Sequence, residues 1–339
     1  MFRDLFEKPF DDKNVYTLIV LLLILLVMTY FYNIYKQKLE QEDVKFSYTE
    51  ITRFLSNTEK HNKPILWIFI DYQKNARNWE SFYSRNTFAL NQGYIFLTVR
   101  TIIERCKKDF HICLIDDNVF HKLLNGKFFN DMNKKSLPNK EYVRVYGICQ
   151  LLYTYGGILV PASFICFKNL KSLLQNNKMF VGEFQSKTLN SSLFAANYFL
   201  MGCQKENNVM GELIDYLKRE IVTDFTSEPQ FVGKISIWLA LHIKNHQINL
   251  ISGHQIGTRK KDGTAIETSE LLSNNFINID VKKVLGIYIP QKELLERVQF
   301  GWFSRLSVEQ LLKSNTFIGK MLLLNGSYNM KKMPYFSIH

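Results

Sequence analysis

Two adjacent glycines, Gly156 and Gly157, join an apolar helical turn to an apolar extended run within residues 150–170, QLLYTYGGILVPASFICFKNL. Leu151, Leu152, Tyr153 and Tyr155 supply the turn. A glycine pair directly after an apolar helix end marks a C-terminal cap and a close backbone approach, because Gly alone takes positive φ at no steric cost. Ile158, Leu159 and Val160 then read as a buried strand stopped at Pro161.

The flanking chain repeats the alternation. Residues 65–70 form an apolar run of strand length that ends on Asp71. Residues 91–105 place Ile95, Val99, Ile102 and Ile103 at helical spacing, and residues 111–115 form a second strand ending on Asp116 and Asp117. Strand, helix, strand, with both strands closing on carboxylates, is the pattern of an open parallel sheet, whose ligands bind at the carboxyl ends of its strands. Residues 125–140 read as a loop, and 179–184 as a short strand. Residues 208–222 carry Met210, Leu213, Ile214, Leu217 and Ile221 on one helical face. A largely apolar helix over 235–243, short strands over 248–251 and 285–289, and a last helix over 308–313 complete the pattern. No internal repeat is present, and the alternation predicts one α/β domain over residues 63–339.

Ahead of that domain, residues 1–14 form a short polar tail, and residues 15–32, VYTLIVLLLILLVMTYFY, contain no charge. A helix of this length spans about 27 Å, close to a bilayer core. Tyr16 at one end and Tyr30, Phe31, Tyr32 and Tyr35 at the other fit interfacial aromatic belts. No small-residue cleavage site follows, so the run predicts a single transmembrane anchor and not a signal peptide. Residues 33–62, rich in Lys, Glu, Gln and Asn, read as a stem. Arg3, Lys8 and Lys13 on one side balance Lys36, Lys38 and Lys45 on the other, which leaves the orientation open. Sequons stand at Asn190 and Asn325.

The chain of 339 residues carries a net charge of +12. Its basic residues come as scattered pairs (Lys107-Lys108, Lys134-Lys135, Lys260-Lys261, Lys282-Lys283, Lys331-Lys332) and not as one stripe. Such charge serves solubility or attraction to anionic lipid, and no nucleic-acid partner is expected. Five cysteines, odd in number and without Cys-x-x-Cys spacing, read as small buried hydrophobes.

The run from Leu152 to Gly157, Leu-Tyr-x-Tyr-Gly-Gly, followed by an apolar strand, resembles the sugar-binding region of the Asp-x-Asp glycosyltransferases of the α-mannosyltransferase and capsular-polysaccharide-synthesis type. Residues 110–117 look like that family's strand ending in an acidic pair. Asn197, the helix at 208–222 and Phe231-Val232-Gly233 look like its later asparagine, helix and glycine turn. The resemblance implies a GT-A-type open, mostly parallel sheet flanked by helices, behind the one N-terminal transmembrane helix. It also implies a nucleotide-sugar donor, a glycan acceptor, and Mn or Mg held by the two aspartates. Here those two positions are Pro161 and Ser163, so no metal is assigned, and Mn or Mg is implied only where carboxylates have relocated. The family's Asp-x-x-Arg is out of register, with Arg144 displaced on the same helix, and Phe300-Gly301 stand where part of the family has a metal-binding His before Trp302. The donor residues implied are Asp71, Tyr155, Gly156, Gly157 and Ser163. The Golgi-type build of such enzymes implies a lumenal domain in a host Golgi or ER membrane, and the Lys- and Asn-heavy composition is similar to that of proteins from large DNA viruses, which adds a virion membrane.

Asp116, Asp117 and Glu183 are the catalytic candidates, as carboxylates at strand ends, with turn formation or helix capping as the alternative role. Arg297 and Arg305, either side of Trp302-Phe303, are candidates for phosphate contact from a late loop. His242 and His246 read as solvated helix residues, since no Glu follows the first. Two functions remain: sugar transfer from a nucleotide-sugar, or a catalytically inactive relative serving as a carbohydrate-binding or structural membrane protein.

Overall fold

The computed structural model describes residues 16, 19–34, 63–70, 93–117, 120, 123–124, 137–188, 191–222 and 228–325. The chain divides into two compact units, Met1–Thr58 with His339, and Glu59–Ile338.

In the first unit residues 19–34 are helical (α1), and every side chain along them is exposed. Thr29, one of the polar residues in that run, turns its hydroxyl back onto the carbonyls of Leu26 and Leu25 at 2.8 and 3.0 Å. The described helix rises about 24 Å. Among the described residues no helix is long and apolar enough to cross a membrane. The remainder of the predicted span and stem, residues 15, 17–18 and 35–62, lies outside the described residues.

The second unit opens with β1 (Ile65–Phe69), α2 (Gly93–Cys106), β2 (His111–Ile115), α3 (Leu137–Tyr155) and β3 (Gly157–Pro161). It continues through β4 (Phe164–Cys166), β5 (Met179–Thr188), β6 (Ser191–Cys203), α4 (Asn208–Val222), α5 (Glu228–Lys244) and β7 (Ile248–Ile251). Two short helices, α6 (Gly253–Ile256) and α7 (Thr268–Leu271), precede β8 (Gly286–Tyr288). The last helices are α8 (Gln291–Glu296), α9 (Gly301–Ser304), α10 (Val308–Lys313) and α11 (Phe317–Asn325).

Six strands form a mixed sheet in the order β2-β1-β3-β6-β5-β7, and β4 pairs with β8 in a second, two-stranded sheet. β1 lies parallel to both β2 and β3. β6 runs antiparallel to β3 and β5, and β7 parallel to β5, so β6 alone is reversed in this sheet. Helices flank it: α2 packs near β4, α3 near β3, and α5 near β6 and β7. β1 is apolar throughout and almost wholly buried, as a strand covered on both faces must be.

The glycine pair sets how β3 enters. Gly156 has φ +71° and Gly157 φ +109°. A Cβ on Gly157 would stand 2.1 Å from the Ile65 carbonyl oxygen, and one on Gly156 2.8 Å from the Lys205 amide nitrogen. The buried Trp67 indole donates to the Gly156 carbonyl at 3.0 Å. On the sheet's other side, Thr98 of α2 donates to the Ala162 carbonyl at 2.6 Å, and Thr101 accepts from the Cys166 amide at 2.9 Å. These bonds fix α2 against the β3–β4 connection.

Several boundaries differ from the sequence pattern. α3 already begins at Leu137, inside the expected 125–140 loop, of which 125–136 lie outside the described residues. β5 runs on to Thr188 because it forms a long hairpin with β6, a strand the apolar pattern did not reveal. Its ladder shifts register between Val181 and Gly182, and Asn197 accepts from the Phe199 amide, which breaks the alternation. Phe231-Val232-Gly233 is the interior of α5 and not a glycine turn. All five cysteines are buried and free.

Gly157→Ala is expected to destabilise the fold by about 3 kcal/mol or more, since backbone must move. Gly233→Ala, with nothing within 4 Å of its Cβ, is expected to stabilise by about 0.5–1 kcal/mol. Urea unfolding of both variants checks the pair; equal effects would refute the close-approach account.

Candidate active site

The carboxyl edge of the parallel strands gathers the ends of β1, β2 and β3, with the start of α2 close by. Asp116 and Asp117 follow β2 directly, where the Ile70 amide donates to the Ile115 carbonyl at 2.8 Å. Asp117 is held on three sides. Arg144 of α3 donates Nε to Oδ1 at 2.6 Å and an Nη to Oδ2 at 2.7 Å, and the Lys140 ammonium lies 2.8 Å from Oδ2. Arg144 also pairs with Glu141 and lies 5.1 Å over the Phe69 ring, which stacks on Phe120. Burial alone would raise the Asp117 carboxyl; Arg144 and Lys140 outweigh it and hold it below the ordinary carboxylate range. A cation arriving at Asp117 would have to displace a buried guanidinium.

Glu183 lies midway along β5, within its ladder with β6, and is spoken for in the same manner. Arg259 reaches its two oxygens at 3.0 and 2.7 Å, and the Gly253 amide donates at 2.8 Å. The Arg259 guanidinium packs 3.4 Å from the Phe194 ring centroid. Burial opposes ionisation of Glu183, and Arg259 with the Gly253 amide reverses the balance, so this carboxyl too is lowered. Four strand spacings separate β2 from β5 in the sheet order, about 19 Å. The two carboxylates therefore belong to two separate ion pairs.

The Asp-x-Asp positions hold no replacement. Pro161 ends β3, and Ser163 is 2% exposed, its hydroxyl donating to the Ile289 carbonyl at 2.7 Å. The Ile289 amide in turn donates to the Ser163 carbonyl at 2.9 Å. Neither residue fits a hard divalent ion, which wants several free oxygens. Among the described residues no group of three His, Cys, Asp or Glu could hold a metal ion.

The remaining expected donor residues are not brought together. Tyr155, Gly156 and Gly157 lie at the amino end of β3, about 13 Å of strand from Pro161. Tyr155 is half-buried, its ring 6.0 Å from Trp67, and both glycines are buried. Asp71 lies outside the described residues. Arg297 and Arg305 are exposed and follow α8 and α9. That segment meets the start of α2, where the Gly93 Cβ position is 2.9 Å from the Leu306 carbonyl and Phe303 packs 5.7 Å from Tyr94. His242 stacks on Trp238 and bonds the Trp238 carbonyl at 2.9 Å, while His246 contributes its carbonyl to Lys178.

Sequence reasoning missed Lys140, Arg259 and Tyr94. Lys140 stands one turn before Arg144, so their shared helix face was readable; Arg259 lies 76 residues from Glu183 and gave no local sign. The Tyr94 hydroxyl is buried at the start of α2 without a hydrogen-bond partner among the described residues, and burial raises its pKa.

No protein-family model matches the chain, and no curated protein matches it. Several solved structures are distantly similar. A glycosyltransferase involved in glycosylation of the major capsid of PBCV-1 is 10% identical, over 66% of this chain and 93% of that one, at a TM-score of 0.36. The glycosyltransferase GlyE of Streptococcus pneumoniae TIGR4 is 12% identical over 76% and 65%, at 0.35. The PaToxG glycosyltransferase is 13% identical over 60% and 78%, at 0.29. Likenesses of this size establish neither a shared activity nor a shared site.

Both lowered carboxyls add stability that is fully present above their unfolded values, near pH 4, and is lost as pH falls through the folded ones. Asp117→Asn is expected to cost about 3 kcal/mol at pH 7, because the buried Arg144 and the adjacent Lys140 lose their shared carboxylate, and to flatten the loss of stability below pH 4. Urea midpoints across that range test this; an unchanged midpoint at pH 7 would exclude a stabilising Asp117–Arg144 pair.

Proposed function

We propose that this chain is a membrane-anchored protein of GT-A-type fold that does not perform metal-assisted sugar transfer, and that it serves as a carbohydrate-binding or structural membrane protein. The observation that carries the reading is Ser163, buried and bonded through its hydroxyl to Ile289 where the resembled enzymes place a metal-binding aspartate. Asp117 and Glu183, two of the carboxylates that could replace it, are each compensated by an arginine. Supporting the fold are the Gly-Gly entry into a central parallel strand and the single reversed strand beside it.

The anchor is supported by α1, whose described side chains are mostly apolar, without charge, and exposed along its length. Each exposed apolar Å² costs about 25 cal/mol in water, a cost that lipid removes. The membrane proposed is a single-pass site in a host Golgi- or ER-type membrane or a virion membrane.

A second reading has its own observation. Arg297 and Arg305 are exposed beside the half-exposed Trp302, on the segment that meets the start of α2. Two guanidinium groups there would neutralise a diphosphate without a metal, and the chain would then bind, and transfer from, a nucleotide-sugar.

Calorimetric titration of the full-length chain in detergent, with UDP and GDP, each with and without manganese, separates the readings. No binding under any condition is expected. A tenfold or greater tightening by manganese would overturn the metal-independent account. Binding that needs no metal and disappears in Arg297→Ala/Arg305→Ala would select the second reading.

A further inference from the structure

Opposite the carboxylate-bearing edge, the amino ends of β1 and β2 meet the carboxyl end of α2. The His111 backbone amide donates to the Pro64 carbonyl at 2.9 Å, and the Asn169 side-chain Nδ2 donates to the Arg105 carbonyl at 2.9 Å and to Asp109 at 3.0 Å. Two later segments are bonded to this same end. Asn325, closing α11, donates to the Cys166 carbonyl at 2.5 Å and accepts from Arg105 at 2.6 Å. The Lys168 ammonium reaches the carbonyls of Lys282 and Val281 at 2.5 and 3.4 Å. The loop between is tied to α11 by Phe317 donating to the Ser273 carbonyl at 2.7 Å and by Lys320 on Asn274.

This bonded set turns four large apolar side chains to solvent: Phe276 (79% exposed), Val281 (69%), Leu323 (45%) and Leu324 (78%). One exposed apolar residue is ordinary; four on mutually bonded segments form a patch. Exposed Lys107, Lys108, Lys282 and Lys283 lie on the same segments. The carboxylates among them are already answered: Asp109 by Lys171 at 2.9 Å, Glu104 by Arg100 at 2.9 Å, and Asp280 by Lys283 at 3.9 Å, which leaves Lys107, Lys108 and Lys282 as the excess. The surplus is positive. Apolar side chains between lysines suit a bilayer interface, where the former enter the headgroup region and the latter meet anionic lipid. A nucleic acid would leave the apolar groups unanswered. The chain also enters the domain on this face, at Lys63 and Pro64.

We propose that this face rests on an anionic lipid surface, with Phe276, Val281, Leu323 and Leu324 inserted at headgroup depth and the carboxyl edge turned away from the bilayer. Anionic lipid is concentrated on cytoplasmic leaflets, so the contact places the domain on the cytoplasmic side of its membrane. The five free thiols agree with that reducing side. The patch stands on residues 59–338 alone and does not depend on α1 being an anchor.

Because the native thiols are all buried, Phe276→Cys in the full chain offers one exposed site for a polarity-sensitive fluorophore. The labelled chain is reconstituted with phosphatidylcholine vesicles, with and without phosphatidylserine. The expected result is a blue shift and quenching by brominated lipid on phosphatidylserine vesicles, reversed by high salt. Lys282→Glu/Lys283→Glu should lower the docked-to-undocked ratio by about tenfold or more. A probe that stays in water on anionic vesicles overturns the proposal, as does an equal response from Ile237→Cys, a 65% exposed site on α5. Self-quenching that grows with protein density instead assigns the patch to a second copy of the chain and also overturns it. Alkaline carbonate extraction reads α1 separately: a chain that is extracted yet docks loses the anchor and keeps the patch.

Discussion

The distance between Gly157 and the Ile65 carbonyl governs how this domain is assembled. At that point the backbones of β1 and β3 meet so closely that no side chain fits between them. The contact sets the level at which β3 lies beside β1, from Leu66 against Ile158 to Phe69 against Pro161. β6 takes its level from β3, and β5 from β6. The Trp67 indole closes the arrangement by satisfying the Gly156 carbonyl, which the end of α3 would otherwise leave without a partner inside the core.

From that arrangement follows the electrostatics of the carboxyl edge. Holding α3 at the head of β3 brings its first half alongside the end of β2, where Lys140 and Arg144 meet Asp117 and Glu141 meets Arg144. Four charges of alternating sign then cancel in a largely buried place. Glu183 and Arg259 repeat the arrangement across the sheet. Each pair removes an ionised group from chemistry by giving it a partner, and each costs stability when the partner is removed. The edge of the sheet where open α/β folds keep reactive carboxylates is here a place of closed ion pairs.

How much of this was legible in the chain depends on the range of the interaction. The Gly-Gly join, β1, β2 and α4 are written in consecutive residues: an apolar run, a helical stripe, a glycine pair. α4 begins and ends at the residues its amphipathic stripe marks. β6 is not written that way, since a bulge and Asn197 disturb its alternation and its partner β5 supplies the order. Gly233 misled because a glycine beside apolar residues reads as a turn, whereas the packing of Phe231, Ile235 and Leu239 keeps the helix going through it. Arg144 was visible as an arginine out of place; that it would hold Asp117 needed two strands and a helix to be assembled first. Arg259 was beyond reach for the same reason, as was the burial of Ser163, which depends on the segment after β8.

Ser163 also bears on what substitutions this chain can accept. An aspartate there would press a carboxylate against the Ile289 carbonyl in a place closed to water, at a cost of several kcal/mol. A second aspartate at Pro161 would not relieve it. Building an Asp-x-Asp pair here by two substitutions would damage the fold before any metal could compensate. The β4–β8 pairing that buries Ser163 therefore closes this position to metal chemistry, whatever the surrounding surface does.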